Sequence, residues 1–224
     1  MNYIGGKFSL LGQLLPLFPE DINTFVDLFS GGANVGINVM ARHHVMNDMN
    51  DRINGIFRYL TTHDIETSIA MIHGIIDRYA LSKTNEQGYL ALRRDYNANP
   101  NPIMLYPLIS YGYNYQARFN NAMEFNGSFG RDRSHFSQSM EQRLRGFVDR
   151  CSMFDMRFTD FMFDKFPYGD IAPHDFVYMD PPYLITTGNY NDGNRGYHNW
   201  GEPEEKALYT IMDDLTARGV SNCY

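Results

Sequence analysis

Asp180-Pro181-Pro182-Tyr183 brings together a carboxylate, a rigid turn and an aromatic ring. The apolar run before it, Phe176-Val177-Tyr178-Met179, reads as a strand, and the prolines stop that strand because neither can donate to a ladder. The set is therefore expected at the carboxyl end of a strand, where open α/β sheets bind their ligands. Its chemistry suits work on the exocyclic amine of a planar base. Asp180 and the carbonyl of Pro181 can each accept one amino hydrogen, and Tyr183 can stack on the ring. A plain strand end, with Asp180 as a cap and Tyr183 in the core, is the alternative.

A second group of residues suits a nucleoside ligand. Thr24 to Phe29 alternates as a strand, Ser30-Gly31-Gly32 follows as a turn, and a helix is expected through Val35, Val39 and Met40. A strand, a glycine turn and a helix start make a nucleotide-binding βα unit. The next strand, His44 to Asn47, ends at Asp48, about twenty residues past Asp27, where a carboxylate can take ribose hydroxyls. The dinucleotide fingerprint G-x-G-x-x-G is absent, so S-adenosyl-L-methionine, which has a ribose and an adenine but no pyrophosphate, fits better than NAD. Asp27, and Asp160 at the end of a strand from Met153 to Phe158, complete the strand-end carboxylates. Near the amino terminus Gly5-Gly6-Lys7 permits a tight loop in which Lys7 faces an anion, ahead of a helical pattern, Leu10, Leu11, Leu14 and Leu15, that Pro16 and Pro19 close.

The chain of 224 residues has 43% hydrophobic residues and 15% aromatics, enough for a packed core, and its two cysteines form no metal or redox pair. It has no apolar run of membrane length and no leader pattern. A soluble protein of a reducing, cytoplasmic compartment is expected, with no metal and no membrane partner. The formal net charge of -7 argues against a nucleic-acid partner until its distribution is considered. Nine arginines and six acids lie between Arg93 and Arg157, a segment of +3 in a remainder of -10. Arg suits bidentate phosphate and guanine contacts, although Arg143, Arg145 and Arg150 also fit a solvated helix face.

From Ile53 to Asp149 the βα alternation lapses into helical spacing (Ile56, Leu60, Ile65, Ile69, Ile72, Ile75 and Ile76), with another helix from Glu86 to Tyr96. Arg118 to Gly127 reads as a polar β-hairpin. Strand patterns return after Gln142. Thr187 to Trp200 reads as a mobile loop, and a helix from Glu202 to Ala217 ends at Gly219. The chain then stops at Tyr224 where a further strand is expected to begin, which would leave an exposed sheet edge.

Taken in order, Tyr3-Ile4-Gly5-Gly6-Lys7, Phe25-Val26-Asp27-Leu28-Phe29-Ser30-Gly31-Gly32, Leu92-Arg93, Asp95-Tyr96-Asn97, Phe129-Gly130 and Asp180-Pro181-Pro182-Tyr183 resemble the Dam-type DNA adenine methyltransferases, and most of all those of T-even phages. The resemblance implies an α/β fold: a Rossmann-like methyltransferase sheet from residues 1–52 and 148–224, interrupted by a helical target-recognition insert, 53–147, that carries the hairpin. By the family's pattern Tyr3, Lys7, Asp48 and Asp180 contact S-adenosyl-L-methionine, and Asp180 also serves a target adenine in double-stranded DNA. Arg118 falls where the family reads guanine of GATC, and Arg93, Asn114 and Asn120 fall at other DNA contacts; Arg131, from the arginine-rich segment, is also expected to bind DNA. Gln116 departs from the pattern, standing where the family has an apolar wedge. The implied setting is a bacterial or phage-infected cell. A shortened, inactive DNA- or cofactor-binding remnant is the alternative.

Overall fold

The structure, a computed structural model, describes residues 7–182 and 200–224. It is an α/β protein with a five-stranded, wholly parallel sheet. The strands are β1 (Thr24–Asp27), β2 (His43–Asn47), β3 (Asp155–Thr159), β4 (Phe176–Tyr178) and β5 (Ser221–Cys223), in the order β3-β2-β1-β4-β5. Among the described residues there are seven α-helices: α1 (Leu11–Leu14), α2 (Asp51–Thr62), α3 (Ile65–Arg78), α4 (Glu86–Ala98), α5 (Pro102–Tyr111), α6 (Gln138–Cys151) and α7 (Glu202–Ala217). No described helix is long and apolar enough to cross a membrane. The chain forms two compact units, one holding residues 52–149 and the other 7–51, 150–182 and 200–224.

In the sheet unit both faces are covered, which is why β1 and β4 read as continuous apolar runs. Side chains alternate across a strand, so Val26, Val45 and Val177 face one side and Phe25, Phe176 and Tyr178 the other. The first side packs on Leu208 and Leu215 of α7 together with Phe166 and Ile171. The second packs on Phe18, Ile22, Val35 and Val39, with the Phe18 and Phe176 rings 4.9 Å apart. Helix α7 begins after Gly201, whose N–H donates to the Glu204 carboxylate at 2.9 Å, and the chain leaves it through Gly219 at φ +76°.

Two expectations are corrected here. The helix expected through Val35, Val39 and Met40 is a single 3-10 turn, Gly36–Asn38, after which Val39 is extended. Glycine and asparagine are poor helix formers, and Gly36 sits so close to Met46 that an added Cβ would lie 2.3 Å from it. The amino-terminal leucines form a short α1 flanked by 3-10 turns rather than one helix, with Pro16 inside the second turn. At the other end Ser221–Cys223 forms β5, parallel to β4, and the Cys223 carbonyl accepts from Met179 N–H at 2.8 Å. The loop reading from Thr187 falls outside the described residues except at Trp200.

The other unit is helical. Its N-caps follow the sequence signals: Asp64 accepts from Thr67 N–H at 2.7 Å, Asn85 from Gly88 N–H at 3.1 Å, and Asn101, ahead of Pro102, from Ile103 N–H at 3.0 Å. Helix α5 is apolar on nearly every side and accordingly buried, from Ile103 and Leu105 through Tyr111.

Candidate active site

Parallel strands end together, so the register that pairs Asp27 with Met46 and Tyr178 gathers the residues at and just past the ends of β1, β2, β3 and β4 at one edge. Those residues include Asp27, Asp48, Asp160 and Asp180. Asp27 is 2% exposed, and the backbone N–H groups of Phe29 and Gly36 donate to it. Burial, then the charges of Asp180 and Asp48, push its pKa up to about 8, so it carries a proton at neutral pH. Its Oδ1 has no hydrogen-bond partner among the described residues, and neither does the buried hydroxyl of Ser30.

Asp48 accepts from Gly31 N–H and Asn50 N–H, each at 2.9 Å, and burial holds its carboxyl above the usual range against those two donors. Gly31 has φ +46°, a conformation glycine adopts at no cost, and this turns its amide onto the carboxylate. The glycine turn thus grips a side chain of its own sheet. Asp160 is exposed, and its charge raises Asp48 further. Asp180 is half-buried and forms an ion pair with Lys7, both side chains being largely covered, while Pro181 is buried. Lys7, expected to face an anionic ligand, therefore meets a carboxylate of the protein. Tyr3 and Tyr183 lie outside the described residues.

Two features were missed in the sequence. Asn47 braces the edge: its amide donates to the carbonyls of Leu28 and Phe161, each at 3.0 Å, and accepts from Thr159 Oγ1 at 2.9 Å and Phe161 N–H at 3.0 Å. The only signal was an amide directly after the apolar pair Val45-Met46. Glu205 is buried and accepts from Trp200 Nε1 at 2.5 Å, Tyr209 at 2.7 Å and Tyr224 at 2.6 Å, which holds its carboxyl below the usual range against burial. These bonds fix Trp200 edge-on to Phe29, just past β1, at 5.6 Å.

In the helical unit the expected hairpin consists of one isolated antiparallel bridge, Phe119 to Phe125, rather than two strands. It is less polar than expected, since Phe119 and Phe125 are 0% and 1% exposed. Its tip is closed by Asn120, whose amide oxygen accepts from Ala122 N–H at 3.0 Å and Glu124 N–H at 2.9 Å. Of the residues expected on the nucleic-acid side, Arg118 and Asn114 are exposed and Gln116 is half-buried. Arg118 makes no side-chain hydrogen bond or ion pair among the described residues. Asn114 has φ +55°. The other three are engaged within the unit: Asn120 in its turn, Arg93 donating to the Gly127 carbonyl at 3.2 Å, and Arg131 paired with Glu86 beside the Phe129 ring. Arg145 is also engaged, with Glu66 and Glu141, as the helix-face alternative allowed.

The sheet edge combines buried carboxylates with an unpartnered carboxyl oxygen and hydroxyl, which suits a cationic ligand bearing hydroxyl groups. Among the described residues no group of His, Cys, Asp and Glu is arranged to hold a metal ion. The chain is 54% identical over 220 residues to modification methylase StsI of Streptococcus sanguinis, covering 98% of the chain and 34% of that protein. It is 46% identical over 220 residues to type II methyltransferase M.FokI of Planomicrobium okeanokoites, with the same coverage. The chain thus spans about a third of the length of these relatives. Identity to a DNA adenine methylase of Haemophilus influenzae is 26%, over 96% of the chain and 74% of that protein. Residues 3–223 match a family model, and on that match the chain belongs to the D12 class N6 adenine-specific DNA methyltransferases.

Proposed function

We propose that this chain transfers the methyl group of S-adenosyl-L-methionine to N6 of adenine in duplex DNA. The observation that carries this reading is the place of Asp180. It is the half-buried carboxylate just past β4, followed by the buried Pro181, in a chain whose family acts on that nitrogen. The residues of the edge fit the cofactor. Asp48 takes the ribose hydroxyls, while Asp27 Oδ1 and Ser30 Oγ, buried and unpartnered, are open to its polar methionine end. Lys7 and Asp160 border the same edge. When bound, the cofactor supplies an electrophilic methyl group.

The adenine amine is a poor nucleophile because its lone pair is conjugated into the ring. Asp180 and the Pro181 carbonyl each accept one of its hydrogens, which draws the nitrogen toward tetrahedral geometry and stabilises the positive charge that develops as it attacks. Lys7 holds the Asp180 carboxylate in place. Holding the amine in line supplies much of the remaining rate. The base must leave the stack to reach such an edge, so the reaction proceeds by base flipping.

The helical unit reads the sequence, through Arg118. An exposed guanidinium uncommitted to the described protein groups can bond O6 and N7 of guanine. GATC is the target that the Dam-type resemblance implies. Likeness to the two modification methylases exceeds likeness to the DNA adenine methylase, so duplexes with other sites belong in the same test. Transfer of tritium from labelled S-adenosyl-L-methionine to adenine-containing duplexes, against adenine-free controls, decides the activity. Binding of DNA or cofactor without transfer would establish the inactive remnant instead.

A further inference from the structure

The hairpin hangs from one stripe of one helix, and its hydrogen-bond pattern shows how. The bonds that flank the Phe119 to Phe125 bridge are Asn126 N–H to the Arg118 carbonyl and Asn120 N–H to the Glu124 carbonyl, both at 2.9 Å. Phe119 and Phe125 are thus a non-hydrogen-bonded pair, and the N–H and C=O of Phe125 point away from Phe119, to the outer edge of the hairpin. An outer edge is a row of unpaired backbone groups. Here Asn97 fills it: its amide oxygen accepts Phe125 N–H at 2.8 Å and its amide nitrogen donates to the Phe125 carbonyl at 3.0 Å. Two residues on, the carbonyl of Gly127 points the same way and accepts from Tyr89 Oη at 2.9 Å and Arg93 Nη1 at 3.2 Å.

The spacing explains why a helix can do this. Tyr89, Arg93 and Asn97 are four residues apart and line one face of α4. Four helical residues rise about 6 Å, and two strand residues about 6.6 Å, so the turns that carry Arg93 and Asn97 meet alternate carbonyls of the strand, while Tyr89, one turn before Arg93, reaches the same Gly127 carbonyl. Gly127 leaves no space for a side chain at this contact, since an added Cβ would lie 2.7 Å from the Phe125 ring and 3.4 Å from Tyr89 Oη. The far limb of the hairpin, tied by the Asn126 bond, carries Arg118.

From this arrangement we infer that Asn97, with Tyr89 and Arg93, is a specificity-determining positioning residue: it stands in for a third strand and fixes the hairpin from which Arg118 reads a base. The inference rests on the proposed reading of DNA by Arg118. It assigns Arg93 to the clamp.

The test uses Asn97→Ala and the milder Tyr89→Phe, which removes one hydroxyl and leaves its ring packed near Phe129. Hydrogen exchange at residues 124–127 is expected to speed up at least tenfold in Asn97→Ala, with β1 and β4 amides unchanged. The ratio of methylation rates on the preferred duplex and on singly substituted duplexes is expected to fall at least tenfold, with binding of S-adenosyl-L-methionine unchanged. Tyr89→Phe should move both measures in the same direction by less. Unchanged exchange overturns the clamp. Faster exchange with an unchanged ratio, or rates lowered equally on every duplex, overturns the specificity role alone. A wild-type protein that methylates no duplex overturns that role together with the functional reading, and the exchange data still judge the clamp.

Discussion

The sheet edge and the hairpin both present polar side chains, and they hold them by opposite means. At the edge the backbone ladder of five strands comes first, and backbone N–H groups then fix the carboxylates: Gly31 and Asn50 on Asp48, Phe29 and Gly36 on Asp27. In the hairpin the ladder is reduced to one bridge, and side chains of α4 supply the missing partners. The first arrangement is as stable as the core beneath it. The second can shift when a single amide is lost. Changes at the edge should therefore abolish chemistry, whereas changes at the hairpin should alter which sequence is chosen.

The largest effect is expected at Asp180. Asp180→Ala removes one acceptor for the amine and should lower methyl transfer by about 10²–10³-fold, the loss typical of one preorganised electrostatic partner, with far-UV circular dichroism unchanged. Asp180→Asn keeps the shape and tests the charge. Transfer within tenfold of wild type, about 1.4 kcal/mol of barrier, would remove Asp180 from the chemistry.

Asp27 separates stability from chemistry at the same edge. Its pKa stands at about 8 in the folded chain against an ordinary 3.8. Between those values the unfolded chain has released the proton and the folded chain keeps it. Folding therefore takes up a proton, and stability falls as pH rises from about 4 to about 8, by up to about 1.4 kcal/mol per pH unit. Below about pH 4 both states hold the proton and the dependence vanishes. Asp27→Asn removes this titration, so urea unfolding at pH 4.5, 6 and 7.5 should show a variant that gains on the wild type as pH rises. Asp48, raised in the same sense, leaves a residual slope in both proteins. Parallel profiles for the two proteins would place an ionised Asp27 in the fold.

The difference between the two regions also explains what was legible in the sequence. Strand ends announce themselves: Phe176 to Met179 before two prolines, Phe25 and Val26 before a glycine turn, and His44 to Asn47 before Asp48 all fix where a carboxylate must lie. Helix α7 is readable from Glu202 to Gly219 for the same reason, since its start and stop are local. What escaped were partners brought from afar. Nothing near Asn47 in the chain foretells its bonds to Phe161, and nothing near Phe125 foretells Asn97. The glycine turn after β1 resembled a helix start because Val35 and Val39 are correctly spaced, but they pack on the sheet from either side of a single 3-10 turn. Arg93 and Asn120 are expected on DNA from the family resemblance, which carries no sign that the same side chains also bond nearby backbone.

A smaller effect is expected at Arg118, where the hairpin's role is sharpest. Arg118→Ala should reduce discrimination between the preferred duplex and duplexes substituted at one base by about 1–3 kcal/mol, while the melting temperature stays constant because the side chain is exposed. Methylation rates on a panel of substituted duplexes at fixed salt give the answer. Equal loss on every duplex would make Arg118 a phosphate contact.

The smallest effect should come from Arg131. Its ion pair with Glu86 lies between side chains 58% and 42% exposed, a setting in which solvent screening leaves about 0–1 kcal/mol. Arg131→Ala should therefore leave stability nearly unchanged. Any effect on DNA comes from losing one cation, which lowers affinity alike for every sequence and reduces the slope of log K against log salt by about 0.9. Glu86→Ala is the informative counterpart, because it releases Arg131 from its partner and leaves an additional uncompensated positive charge on the unit. It should tighten binding to all duplexes at low salt, an advantage that fades as salt rises. If Arg131→Ala instead changes the order of preference among duplexes, Arg131 contacts a base, and base reading extends past the hairpin to the segment just beyond Phe129.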